Sequence, residues 1–201
     1  MELIFASSNQ NKAKEIQAVL PDGIQILTLN DLGFTGDIPE TASTLEGNAL
    51  LKAQFVAERW DKNCFSDDSG LEITALNQEP GVFSARYAGP QRNDQDNMDL
   101  VLQKLEGVED RSACFKTVIA LIYNKETFIF EGRVDGIIRP DKKGSNGFGY
   151  DPIFEPEGLG KTFAEMSLEE KSRYSHRKRS TEKMVSFLAQ QIHSIENITN
   201  T

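Results

Sequence analysis

Four short polar stretches hold the residue types that chemistry needs. Ser7-Ser8-Asn9-Gln10-Asn11-Lys12 follows a strand-like run and opens a helix. Backbone N–H groups at a helix start, short hydroxyl and amide side chains and one lysine suit a phosphate group. The glycine spacing and the Lys-Ser/Thr pair of a Walker A loop are missing, and a plain helix cap with a solvated lysine fits the same residues. Asp67-Asp68-Ser69-Gly70 places two carboxylates side by side at a strand end. Such a pair repels unless a cation holds it, which points to Mg²⁺, although an acidic turn is the plainer alternative. Neighbours on a strand face opposite ways, so one of the two is expected in a cleft. Gly147-Phe148-Gly149-Tyr150-Asp151-Pro152 offers close backbone approach and a ring for stacking. Glu170-Lys171 with Ser175-His176-Arg177-Lys178-Arg179 concentrates cations at a helix start, where the helix dipole disfavours them. A bound anion would account for that cost; a solvated patch or a nucleic-acid contact are the alternatives. Lys52, four residues after Asn48 on the polar side of a helix, is within reach of a phosphate, and Glu40 and Glu46 are either metal ligands or acids that suit a helix start.

The elements that must position these residues follow from periodicity. Leu3 to Ala6 reads as a strand, and a helix near Lys12 to Leu20 shows Ile16, Val19 and Leu20 on one face. Thr44 caps a longer helix with a stripe of Leu45, Ala49, Ala53, Val56 and Trp60. A short strand from Asn63 to Ser66 ends in the Asp pair, and Leu71 to Thr74 resumes it. Asn93 and Asp96 resemble a capping pair before a helix carrying Met98, Val101, Leu102 and Leu105. Ala113 to Tyr123 and Thr127 to Arg139, separated by Asn124-Lys125-Glu126, predict a hairpin. Pro140 to Pro152 is a loop, Ser167 with Glu170 is a second capping box, and a final helix runs from about Ser175 to Ile192. Alternating strands and helices with a hairpin predict an α/β fold, a mixed twisted sheet with flanking helices. Its ligand crevice is expected where strands give way to helices.

The bulk properties narrow the function. The chain has 201 residues, 38% of them hydrophobic, and a formal net charge of −9. That composition suits one domain over residues 1–195 with a polar tail at 196–201. The acidity argues against nucleic-acid or anionic-membrane partners. No apolar run reaches membrane-spanning length, and Met1 to Ala6 enters a strand without a leader-like basic and apolar stretch, so a cytoplasmic location is expected. Cys64 and Cys114 sit in strand-like segments and read as buried free thiols.

Taken in order, the chain resembles the inosine triphosphate pyrophosphatase family of noncanonical purine triphosphate pyrophosphatases. The resemblance rests on Ser8-Asn9 with Lys12, Asn48 to Lys52, Ser66 to Gly70, Pro80-Gly81 with Ser84 to Tyr87, Gly147 to Pro152, Glu170-Lys171 and Ser175 to Arg177. It implies two lobes around a central cleft, a homodimer and Mg²⁺ dependence. The implied reaction converts ITP, dITP or XTP to the nucleoside monophosphate and pyrophosphate. Carried over, Asp68 is the general base and a metal ligand. Ser7 to Lys12 and Lys52 hold the triphosphate, and Ser69, Phe148 to Asp151, Lys171, His176 and Arg177 complete the substrate site. Glu40 is the candidate second metal ligand. The chain departs from many relatives at Ser8, where they carry Gly, and at Gly47, where they carry Glu; here the acid is Glu46. Two other functions compete: a house-cleaning pyrophosphatase for other modified nucleotides, and a nucleotide-binding sensor without catalysis.

Overall fold

The computed structural model describes residues 1–199, with side chains as far as Gln191. Its order is β1 (Glu2–Phe5), α1 (Gln10–Gln17), β2 (Gln25–Thr28), α2 (Leu45–Trp60), β3 (Cys64–Ile73), α3 (Asp94–Lys104), β4 (Ser112–Tyr123), β5 (Glu126–Ile138), β6 (Phe154–Pro156), α4 (Leu168–Lys171) and α5 (His176–Thr199). The strands form one mixed sheet in the order β2-β1-β3-β4-β5-β6, parallel among β2, β1 and β3 and antiparallel from β3 to β6. The expected α/β class, mixed sheet and flanking helices are therefore present. The core contact expected of Ile192 and the end of the 196–201 tail lie outside the described side chains and residues.

Local chemistry accounts for the elements. The Asn9 side chain caps α1 by accepting from the amides of Asn11 and Lys12, and Thr44 caps α2 by accepting from Gly47. Asn93 caps α3 in the same way. Tyr123 pairs with Glu126 across a two-residue turn, Asn124-Lys125, whose positive φ values of 51° and 68° match the right-handed twist of the hairpin. The hairpin is thus one residue tighter than the spacing suggested.

Two corrections bear on the site. The Asp67–Gly70 stretch is not a strand end: β3 runs unbroken through it, paired to β4 from Cys64↔Ile122 to Ile73↔Ala113. What ends is its other neighbour, since β1 pairs with β3 only as far as Phe5↔Phe65. Beyond that point the β1 edge of β3 is open. The second correction concerns Lys52, expected on the polar face of α2. Both Asn48 and Lys52 are buried, alongside the apolar stripe.

The described side chains form four apolar clusters, two of which lie at opposite ends of the long strands. At one end Leu3, Phe5, Ile16, Phe65, Leu121 and Leu188 pack together; at the other, Leu71, Ile73, Met98, Phe115, Ile138 and Phe154 do so. Ser66 to Gly70 lies between them, at the waist of β3. That is the arrangement expected of two lobes meeting at a cleft.

Candidate active site

The cleft holds a cavity of about 290 Å³ lined from both lobes. The C-terminal end of β1 supplies Ser7, Ser8, Asn9 and Lys12. The α2 side supplies Glu40 and Lys52, β3 supplies Asp68 and Ser69, and the far lobe supplies Phe148, Gly149, Tyr150, Asp151, Lys171, His176 and Arg177. β1 is flanked by β2 on one side and β3 on the other, so the crevice opens where successive connections depart in opposite directions, the usual ligand position in such sheets.

Asp67 and Asp68 use opposite faces of β3, as the pleat requires. Asp67 is fully buried, accepts from Lys12 Nζ at 3.0 Å and Arg177 Nε at 3.3 Å, and does not line the cavity. Burial alone would raise its pKa, but Lys12, Arg177 and Lys52 outweigh it and hold the carboxyl well below the usual range. Asp68 does line the cavity. It accepts from Lys52 Nζ at 3.2 Å on one oxygen and from Asn48 Nδ2 at 3.2 Å on the other. Here burial prevails over Lys52 and Lys12, with help from the charges of Glu40 and Asp67, and the pKa is raised.

Lys52 also donates to Glu40 at 2.7 Å, so one ammonium joins the two carboxylates expected to meet a metal. Arg86 supports Glu40 from the other side at 3.3 Å. Glu40 has a lowered pKa: burial works against ionisation but the charges of Lys52, Lys12 and Arg86 overcome it. Among the described residues no three His, Cys, Asp or Glu side chains form a ready-made metal cage. Two carboxylates beside a phosphate subsite do fit Mg²⁺, which keeps most of its water and takes the rest of its oxygens from substrate. Glu46 is exposed on α2 and lines no part of the cavity, so it takes no part here. Gly47 sits beneath the Glu40 loop, where a Cβ would meet that of Ala42 at 2.6 Å.

The opposite wall is built by buried ion pairs. Lys171 donates to Glu15 and Asp151, both at 2.6 Å, and Arg177 donates to Glu15, to Asp67 and, at 3.0 Å, to Ser69 Oγ. Arg177, at the start of α5, is therefore neutralised by carboxylates from α1 and β3, while Lys178 pairs with Glu182 on its own helix and Arg179 donates to the Arg133 carbonyl. Lys171 and Arg177 stand 5.1 and 5.7 Å from the centre of the Phe148 ring. Asp151 is fixed by the Phe148 amide at 2.9 Å, and burial raises its pKa against the pull of Lys171. His176 stacks on Phe115 with centroids 4.7 Å apart and 10° between planes, and its Nδ1 is buried without a hydrogen-bond partner. Burial first, then the charges of Arg177 and Lys171, pushes its pKa well below 6.5 and leaves a neutral ring.

This geometry agrees with what the chain resembles on comparison. The Ham1 family model matches residues 3–187. The chain belongs to the Ham1 family. Its relatives in that family include a dITP/XTP pyrophosphatase of Flavobacterium psychrophilum, 54% identical over 93% of this chain and 98% of that one. Another, from Porphyromonas gingivalis, is 48% identical over 93% of this chain and 97% of its own length. Among solved structures, the Staphylococcus aureus Ham1 protein superposes with a TM-score of 0.86 at 42% identity, covering 95% of this chain and 100% of that one. A HAM1 protein from Coxiella burnetii gives 0.86 at 40% identity, covering 94% and 99%.

Not every residue expected in the site reaches the cavity. Gln10 is exposed at the start of α1, and Asn11 lines an adjoining pocket behind Phe148 and Lys171. Tyr150 touches the cavity but belongs to the core, with its hydroxyl donating to the Ser84 carbonyl at 2.8 Å. Glu15, Asp67 and Asn48 escaped the sequence reading as site residues. Asp67 and Asn48 stood in the sequence motifs, Asp67 beside Asp68 and Asn48 four residues before Lys52 on the same helix face, without a site role of their own; Glu15 left no trace. Cys64 and Cys114 are buried free thiols, and no helix among the described residues is long and apolar enough to cross a membrane.

Proposed function

We propose that the chain hydrolyses noncanonical purine nucleoside triphosphates, namely ITP, dITP and XTP, to the nucleoside monophosphate and pyrophosphate. One observation carries this reading. Lys12 and Lys52 beside the buried carboxylate of Asp68, and an aromatic wall with an unpaired buried imidazole, line the same cavity. The first suits a phosphoanhydride and the second a purine. Relatives that share about half of the sequence bear the name dITP/XTP pyrophosphatase.

Asp68 accepts the proton of a water that attacks the α-phosphorus. Asn48 and Lys52 fix its direction, and with a metal beside it the carboxylate would stay ionised and orient that water. Lys12 and Lys52 balance charge on the departing pyrophosphate, with the Ser7 to Asn9 loop beside them. Glu40 and Asp68 would hold Mg²⁺, which when bound neutralises phosphate charge. The lining itself contains five Lys or Arg and five Asp or Glu residues, so its side chains alone carry no surplus of fixed positive charge for a polyanion.

Phe148 presents a ring to the base, and Arg177, with His176 in the tautomer that carries its proton on Nδ1, would offer donors to a 6-oxo group. Adenine places its own donor at that position and would leave them unpaired, a penalty of about 1–3 kcal/mol for each. We further propose that the enzyme works in the cytoplasm as a homodimer, as the family resemblance implies.

The test is a panel of ITP, XTP, dITP, ATP and GTP with and without Mg²⁺, scored by pyrophosphate release. Rapid, Mg²⁺-dependent release from the first three is expected. Equal kcat/KM for ITP and ATP would refute the specificity. Binding without pyrophosphate release would favour a sensor.

A further inference from the structure

We propose that Arg92, which the sequence motifs do not include, is a ligand of the substrate's polyphosphate, resting on the pyrophosphatase reading above. Arg92 belongs to the far lobe, in the turn before α3, and lines the cavity at an exposed position. The other lysines and arginines of the lining are each already held by carboxylate: Lys12 by Asp67, Lys52 by Glu40 and Asp68, Lys171 by Glu15 and Asp151, Arg177 by Glu15 and Asp67. Among the described residues, the Arg92 side chain has no hydrogen bond, ion pair or ring contact, although Asp94 and Asp96 are close in sequence. It is the cation of this cavity that no carboxylate neutralises.

The backbone sets the turn that presents it. Arg92 has φ of 52°, in the left-handed region that glycine occupies without strain and a long side chain does not. The turn is anchored on both sides. The Ala88 amide donates to Asn97 Oδ1 at 2.7 Å, and Asp94 Oδ2 accepts from the Gly149 amide at 2.7 Å, joining the turn to the Phe148 loop. A strained, unpaired arginine is thereby presented at the cleft from a fixed platform. The polyphosphate is the anionic part of the proposed substrate, and a planar guanidinium matches its oxygens. Arg92 would reach that anion from the lobe opposite Lys12 and Lys52, so that the substrate is gripped from both sides.

The test compares wild type, Arg92→Ala, Arg92→Lys, Arg92→Gly and the exposed control Arg173→Ala. Calorimetric affinity for magnesium pyrophosphate, KM for ITP and thermal midpoint are measured for each. Arg92→Ala should weaken pyrophosphate binding and raise KM by about three- to tenfold, the scale of one exposed charge-assisted contact. Arg92→Lys should recover part of the loss, and Arg92→Gly should match the Ala variant while melting at or above wild type. Unchanged pyrophosphate affinity in Arg92→Ala, or an equal loss in Arg173→Ala, would overturn the proposal. Failure of wild type to release pyrophosphate from ITP would instead overturn the function, while the calorimetry would still decide Arg92.

Discussion

Asp67 and Asp68 are adjacent in β3, yet one is bound to Lys12 and Arg177 and the other to Asn48 and Lys52. The charge of Asp67 is stabilised by its surroundings and that of Asp68 is opposed by them. One carboxylate therefore serves the fold, and the other is held at the cavity at some cost to it.

Substitution separates the two roles. Asp67→Asn leaves the buried Arg177 and the part-buried Lys12 short of a counter-charge and should lower stability by about 3–5 kcal/mol. Asp68→Asn removes a charge that burial disfavours, so urea denaturation near neutral pH should show it as stable as wild type or more so. Its hydrolysis of ITP should be abolished. Retention of most turnover by the folded variant would contradict the assignment of Asp68.

Much of this site was legible in the sequence because helix caps, turns and phosphate-type loops are local. Asn9, Thr44, Asn93 and Ser167 each act on amides two or three residues ahead. The ion pairs behind the site were not legible. Glu15 meets Arg177 across 162 residues and Asp67 meets it across 110, and no local pattern marks which acid faces which base. The strands β2 and β6, of four and three residues, are too short for alternation to reveal them.

Asn48 joins two parts of the site. Its Nδ2 donates to Asp68 and its Oδ1 accepts from the Ala42 amide at 2.9 Å, in the loop that carries Glu40. Asn48→Ala should cost about 1–3 kcal/mol by leaving that amide unpaired. Asn48→Asp places a like charge against Asp68, so the acid limb of the kcat/KM profile should move to higher pH. An unmoved limb would show that Asn48 does not set the state of Asp68.

His176 makes stability depend on pH near neutrality. Its folded pKa is depressed below 6.5, so the unfolded chain binds a proton that the folded chain refuses. The stability it favours is complete above pH 6.5 and is lost as pH falls from there toward the folded value, with a slope of up to about 1.4 kcal/mol per pH unit. His176→Phe, which can still stack on Phe115, should flatten that slope in denaturation curves collected across the range.

Gly147 is confined by its partner. Its φ is 75°, and a Cβ there would collide with Asp151 Oδ2, the atom that holds Lys171 and the Phe148 amide. Gly147→Ala should destabilise the fold by more than about 1 kcal/mol and raise KM for ITP by displacing the Phe148 loop. A thermal melt and a saturation curve check both.

The central claim is water attack at the α-phosphorus assisted by Asp68. Hydrolysis of ITP in oxygen-18 water, with the products separated and weighed by mass spectrometry, tests it most directly. The heavy oxygen should appear in inosine monophosphate and be absent from pyrophosphate, and Asp68→Asn should form neither product. Label in the pyrophosphate, or release of orthophosphate in its place, would contradict the account.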